Sequence, residues 1–411
     1  MNRKLASLIL EEPHIFRPPH HSLESHFIRL HMQALQESEK AGAAWREALQ
    51  RRRLVHLLSS AQRIPFWRNR IGQEKSTRLE SLPVVTKADM QAVAPEERAT
   101  ISTVRKHAIP TSTSGSTGEP LSFFIDRRLG ARHVAHVARI TGMHDFQRKS
   151  LVLIWPTHNP NPLFRGHFFT IRSAKEARMH YEHLCALISR PDTLVLGLPS
   201  SIHCVANVFT AEKIVARPQA LLTSGEPLTS ESRALFEEVF AVKPVQYYGS
   251  RELSVMAHEC SHGRYHENSE DVIIEVVDAA GKECPAGAGG RILVTGLNSM
   301  ISPFIRYEIG DHGVRHSDPC PCGSTYPSFS IVGRASAAAP IALRDGRTIL
   351  PYQLTGVFNR RSAALRQYQI VHTALHIFRV RIIPTEHYTK RREAEMLAEL
   401  NELAPGCAFS L

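Results

Sequence analysis

The sequence has little that would take it out of water. Its 411 residues include no uninterrupted apolar run of the roughly 18 that a spanning helix needs. The basic start, Met1-Asn2-Arg3-Lys4, leads only into the short apolar stretch Leu5–Leu10 before Glu11-Glu12-Pro13. That stretch is too short for a secretory core and no small-residue cleavage site follows, so a cytoplasmic protein with no membrane partner is expected. Long basic runs and basic stripes interleaved with aromatics are also missing, which removes nucleic acid as the expected partner. Cysteine is sparse and odd in number, seven in all, so thiols or a metal site are expected instead of a disulfide framework.

What remains is ordinary in bulk. At 43% hydrophobic and 22% charged residues, the chain can bury a sizeable core, and its length suits two or three domains or one large domain with an appendage. Lysine and arginine number 50 against 39 acidic residues, a balance of +11. It suits a solvated basic surface or attraction to anions such as nucleotides, coenzyme A or an acidic carrier protein.

Phe27–Leu58 lacks proline and is rich in helix formers, with Gly42 its only glycine. Thr86-Lys87-Ala88-Asp89 is set up to cap a short helix. From Ile109 the texture changes. Leu121–Ile125, Leu151–Trp155, Thr193–Leu198 and Ala220–Thr223 are expected as strands, with Arg128–Met143 helical, a pattern of sheet covered by helices. Asp271–Asp278 and Gly290–Gly296 are expected as two more strands. Beyond Arg334, a helix over Tyr352–Asn359, strands over Gln367–His372 and His376–Ile383, and a helix over Arg391–Leu403 predict a small α+β unit.

Thr111–Pro120 concentrates hydroxyls and glycines, which let successive backbone N–H groups converge on an anion such as phosphate. It is no Walker loop, because no Gly-Lys-Ser/Thr follows, and no dinucleotide fingerprint, because it precedes a strand. Gly287-Ala288-Gly289-Gly290 leads into a strand and is expected to be a tight turn.

Thr113-Ser114-Gly115-Ser116-Thr117-Gly118-Glu119-Pro120 resembles the phosphate-binding loop of the adenylate-forming (acyl-CoA synthetase) superfamily. Further motifs follow in order: Gly225-Glu226-Pro227, then Tyr247-Tyr248-Gly249-Ser250-Arg251-Glu252, then Arg306-Tyr307-Glu308-Ile309-Gly310-Asp311, then Gly333-Arg334. The resemblance is nearest to the phenylacetate–CoA ligase and capsule-biosynthesis branch, on Ile64-Pro65-Phe66-Trp67, Leu82–Lys87 and Pro319-Cys320-Pro321-Cys322-Gly323.

This resemblance implies an α/β fold. A large adenylation domain over 1–333, with helix-covered sheets, would precede a small, shortened α+β domain over 334–411. It implies ATP-dependent activation of a carboxylic acid, an aryl acid by preference, to acyl-AMP, followed by transfer to coenzyme A, a carrier-protein thiol or an amine. A homodimer is implied by analogy. The phosphate loop, with Thr117 taken as catalytic, the 225–227 segment, Tyr247–Ser250, Asp311 and Arg334 would bind ATP or AMP, while Glu252 would hold magnesium as a hard oxygen ligand. Negative charge gathering on the phosphates needs those donors and that cation.

Cys260-x5-His266 with Cys320-x-Cys322 offers three thiolates and an imidazole, the donor set of a closed structural zinc site. His262 is a rival ligand, and three reduced thiols beside a surface histidine is the plain alternative.

Four positions depart from the family. Glu119 stands where relatives place lysine, Arg251 where they place threonine or serine, and Ala335-Ser336-Ala337-Ala338-Ala339 where an acidic hinge is expected. Ala408-Phe409-Ser410-Leu411 comes before the segment bearing the family's terminal lysine, and Lys390, the nearest lysine, sits at a helix start and matches poorly. These departures leave open a substitute cation, a weakened thioester step, or a homologue that binds nucleotide or acyl-adenylate with little ligase activity.

Overall fold

A computed structural model of the chain describes residues 21–72, 78–100, 108–113, 120–126, 128–142, 150–156, 166–334, 341–344, 348–349, 354, 357–358, 361 and 364–410. The helical stretch expected over Phe27–Leu58 is two helices, α1 (His21–Ala41) and α2 (Ala43–Ala61). Gly42 parts them at φ 84°, a left-handed conformation that a helix does not continue through. After α3 (Pro65–Ile71), helix α4 (Lys87–Gln91) starts on the expected cap. The Thr86 hydroxyl accepts from the Asp89 backbone N–H at 3.1 Å, and the Asp89 carboxylate accepts from the Thr86 N–H at 2.8 Å.

The hairpin β1 (Ala108–Ser112) and β2 (Ser122–Asp126) precedes helix α5 (Arg128–Thr141). An eleven-stranded sheet follows. Its parallel half runs in the order β4 (His167–Thr170), β3 (Ser150–Trp155), β5 (Thr193–Gly197), β6 (Ala220–Thr223) and β7 (Val245–Ser250). At β7 the direction changes. The antiparallel half continues through β8 (Ser254–Glu259), β9 (Tyr265–Glu267), β13 (Ser328–Arg334), β12 (Tyr307–His316), β11 (Gly289–Gly296) and β10 (Val272–Val277).

The parallel strands read as unbroken apolar runs because both faces are covered. Alternate residues go to opposite sides. Val152, Ile154, Val195 and Leu221 meet Leu184, Ile202, Phe209 and Phe236 from helices α7 (Tyr181–Ile188), α8 (Pro199–Ala211) and α9 (Ser230–Phe240), with α6 (Ala174–Met179) alongside. Leu153, Leu194, Leu196 and Leu222 meet Val137 of α5. A further core joins Leu57, Trp67, Leu82, Val85, Phe123, Ile292, Phe304 and Tyr307, so the Ile64–Trp67 and Leu82–Lys87 motifs act here as packing.

Residues from Ile341 build their own core from Ile341, Leu354, Phe358, Phe378, Met396 and Leu400. Its elements are the short β14 (Ile341–Ala342) and β15 (Thr348–Ile349), then β16 (Leu365–Ala374), β17 (Ile377–Pro384), α10 (Lys390–Leu403) and β18 (Ala408–Ser410). The strands and final helix fall where the sequence predicts them. Of the helix expected over Tyr352–Asn359, only Leu354, Val357 and Phe358 are among the described residues, and all three are helical.

One buried side chain fixes the path into β12. Arg306, itself at φ 45°, pairs with Glu275 at 3.0 Å and donates to the carbonyls of Leu82 and Gly281, each at 2.7 Å. This ties β12 to β10, to the β10–β11 turn and to the Leu82–Val85 segment, which itself bridges to Tyr307. Removing one partner of such a pair strands the other. Arg306→Met is therefore expected to cost about 3–5 kcal/mol, read as a lower urea midpoint for the main unfolding transition.

Candidate active site

The carboxyl ends of parallel strands in an open α/β sheet form a natural ligand crevice. Here Gly225 follows β6, and Tyr247–Ser250 end β7, where the sheet passes from parallel to antiparallel pairing. Gly225 is exposed, as is Pro227, and Gly225 adopts φ 80°, a turn that suits glycine. Glu226 turns to α8, where its carboxylate accepts from the Ser200 N–H at 2.9 Å and the Ser200 hydroxyl at 3.0 Å. A side chain at Gly249 would meet the Ser254 carbonyl at 2.5 Å, so β7 and β8 need glycine there.

Both tyrosines are buried. Tyr247 packs edge-on to His133, and burial pushes its phenol up to about 12. Tyr248 packs against Tyr265 and Phe329, and its hydroxyl donates to Asp311 at 2.7 Å. Asp311 lies on β12 just after Gly310 at φ 89°, opposite Arg334 in the ladder. The structure thus brings Tyr248, Asp311 and the Arg334 backbone together across two halves of the sequence. Thr113 closes the base of the β1–β2 loop. Its N–H donates to the Leu121 carbonyl at 3.0 Å, and its hydroxyl accepts from the Leu121 N–H at 2.9 Å. Ser114, Gly115, Ser116, Thr117, Gly118, Glu119 and the segment Ala335–Ala339 lie outside the described residues.

Beside this edge lies a cleft lined by Asp126, Arg128, Arg132, Glu252, Asn298 and Ser302, among others. Glu252 is buried at 7% exposure, and the Asn298 Oδ1 atom is buried with no hydrogen-bond partner among the described residues. Both are hard oxygen donors of the kind magnesium takes. Ser302 anchors the hairpin, accepting from the Phe124 N–H at 3.2 Å.

Behind the cleft, Asp271 is enclosed by charge. His136 Nε2 is 2.6 Å from it, Arg53 3.4 Å and Arg132 3.6 Å, and the Asn298 amide donates to it. Burial alone would raise its carboxyl, but Arg132, His136 and Arg53 outweigh burial and hold it far below the ordinary carboxylate range. Next door, Arg139 pairs with Glu270 at 3.2 Å, and Tyr326 donates to Glu270 at 2.6 Å. Burial, then Arg132, pushes His31 down to about 3, while burial, then His136, does the same to His133.

The cysteine–histidine set also comes together. The ligand atoms of Cys260, His266, Cys320 and Cys322 all lie within 4.8 Å of one another. Cys260 and Cys320 sulfurs are 3.7 Å apart, and Cys322 Sγ is 3.3 Å from His266 Nε2. Zinc–sulfur bonds of about 2.3 Å at tetrahedral angles separate two sulfurs by about 3.7–3.8 Å. His266 Nδ1 lies 3.2 Å from the Tyr326 carbonyl, an arrangement that holds the ring with Nε2 toward the thiols. His262 is exposed, is bonded to Ser261, and stands outside this set.

Several residues of the site were not singled out by sequence: Arg132, Asp271 and Asn298. A signal existed in Arg128, Arg132, His136 and Arg139, which recur at helical spacing along one face of α5.

No protein-family model and no curated protein matches the sequence. Among solved structures, the chain is similar to an open conformation of 2-hydroxyisobutyryl-CoA ligase in complex with 2-HIB-AMP and CoA, at 22% identity and a TM-score of 0.68, covering 90% of this chain and 93% of that one. ATP-bound MatB from Rhodopseudomonas palustris is similar at 15% identity and a TM-score of 0.52, covering 73% and 63%. The anthranilate CoA ligase AuaEII with anthranoyl-AMP is similar at 13% identity and 0.51, covering 72% and 62%. The chain therefore has the fold of the adenylate-forming CoA ligases, as the motifs imply. No described helix is long and apolar enough to cross a membrane.

The buried histidines set an acid limit. Below about pH 6.5 the unfolded chain binds protons that His31 and His133 refuse in the fold until about pH 3. Asp271 acts in the same direction below the ordinary aspartate value. The stability these histidines contribute is thus complete above about pH 6.5 and is lost as pH falls toward 3, by about 2 kcal/mol per histidine at pH 5. Urea unfolding at pH 7 and pH 5 checks this, and His133→Asn is expected to shrink the difference.

Proposed function

We propose that this chain activates a carboxylic acid, an aryl acid by preference, with ATP and magnesium to form acyl-AMP, and passes the acyl group to coenzyme A or another thiol or amine. The carrying observation is the 2.7 Å bond from Tyr248 to Asp311 at the carboxyl end of β7, with Glu252 in the adjoining cleft. The fold likeness to a ligase solved with 2-HIB-AMP and CoA supports the same reading. The phenylacetate–CoA ligase branch and the division into domains 1–333 and 334–411 belong to this proposal.

In this reading Asp311 accepts both ribose hydroxyls, and Tyr248 holds that carboxylate in place. Arg334 and the Gly225–Pro227 turn flank the nucleotide, with Tyr247 and Ser250 supporting the edge. Thr113 fixes the base of a loop whose Ser114–Gly118 hydroxyls and N–H groups meet the phosphates. Glu252 and Asn298 would hold magnesium, which when bound neutralises charge on the phosphate oxygens. Pinning the nucleotide before reaction supplies orientation without any bond-making role for these groups. Cys260, His266, Cys320 and Cys322 hold a structural zinc that closes the β8–β9 turn onto the loop before β13.

Two measurements test this reading. Hydroxylamine trapping over a panel of aryl and short-chain acids is expected to give an acyl hydroxamate and AMP with at least one acid, reduced about 100-fold or more in Glu252→Gln. AMP release with none of them, from folded protein that binds ATP, would favour the binding homologue. Metal analysis is expected to find one zinc per chain, lost in Cys322→Ala together with thermal stability. Metal-free protein of unchanged melting temperature would contradict the zinc assignment.

A further inference from the structure

The loop bears Glu119 in place of the family's lysine, so the charge of the leaving phosphates needs another cation. We propose that Arg132, on the helix that follows the phosphate-loop hairpin, binds the β- and γ-phosphates of ATP and the pyrophosphate that leaves. This deepens the ligase reading and rests on it.

Three observations carry it. Arg132 lines the same cleft as Glu252, against Phe124, Ile125 and Asp126 of the strand leaving the loop. Its side chain is only 8% exposed, and among the described residues it donates no hydrogen bond; its charged contact is Asp271 at 3.6 Å. Asp271 is shared between Arg53 and Arg132, so Arg132 has no counter-ion to itself. The neighbouring Arg128 is otherwise committed, because its Nε and Nη2 donate to both oxygens of Asp126. A planar guanidinium with donors to spare is the group that fits phosphate oxygens in a fork.

The step balances without a further reactant. A carboxylate oxygen bonds to the α-phosphorus of ATP, the bond from that phosphorus to the bridging oxygen breaks, and the electron pair leaves on pyrophosphate. Arg132 meets the charge that grows there, while Asp271 is a positioning residue that holds Arg132.

The test compares parent, Arg132→Met and Arg132→Lys in acid-dependent ATP–pyrophosphate exchange and in direct binding of magnesium pyrophosphate and of AMP. Asp271 keeps His136, Arg53 and Asn298 in the variants, so the fold has partners to survive on; Arg132→Gln replaces the methionine variant if that one unfolds. The expected result is magnesium-pyrophosphate affinity about 10–100-fold weaker in Arg132→Met, exchange lower by about 100-fold, partial recovery in Arg132→Lys, and unchanged AMP affinity. Equal pyrophosphate affinity in parent and neutral variant, or equal loss of AMP and pyrophosphate binding, would overturn the inference. A parent that binds pyrophosphate through Arg132 but exchanges with no acid would instead overturn the ligase reading and leave the anion site standing.

Discussion

The architecture around the site depends on one buried carboxylate. Asp271 follows the Glu267–Glu270 segment and receives Arg53 from α2, Arg132 and His136 from α5, and Asn298 from the turn after β11. Four parts of the chain distant in sequence therefore share one anchor. Such charges are costly to bury singly, and the arrangement holds because each carboxylate oxygen is met. The first helices are in this way built into the wall behind the cleft.

The same logic reaches the cysteine cluster. Tyr326 lies four residues after Cys322, its carbonyl faces His266, its phenol bonds Glu270, and Arg46 stacks over its ring at 3.9 Å. Arg46 also donates to the Ser38 carbonyl, joining α1 and α2 to this loop. Order in the cysteine loops is thereby passed to Glu270 and its neighbour Asp271, without either group touching the nucleotide edge.

Much of this was legible in the sequence. The parallel strands announced themselves as apolar runs, and the cap at Thr86 by its hydroxyl–carboxylate spacing. The tyrosine–glycine and Asp311 motifs meet at the edge where β7 turns to antiparallel pairing, and Gly249 is required there by the close approach of the Ser254 carbonyl. The break at Gly42 was less visible, since one glycine in a helical stretch is often tolerated and only its backbone angle shows the bend. The charge network was hidden for a different reason. Arg132, Asp271 and Asn298 belong to separate segments, and an arginine in a basic chain reads as a solvated surface residue until the fold buries it. The alignment of Tyr248 with Asp311 was similarly unreadable, because the tyrosine motif points to a nucleotide contact and not to a partner for a carboxylate.

The central claim is that the edge carrying Tyr248 and Asp311 is a nucleotide site. Calorimetric titration of AMP into the parent and into Asp311→Ala tests it most directly. The account predicts saturable binding of one AMP per chain, weakened about tenfold or more when the Asp311 carboxylate is removed. Absence of AMP binding in the folded parent, or equal affinity in both proteins, would contradict it.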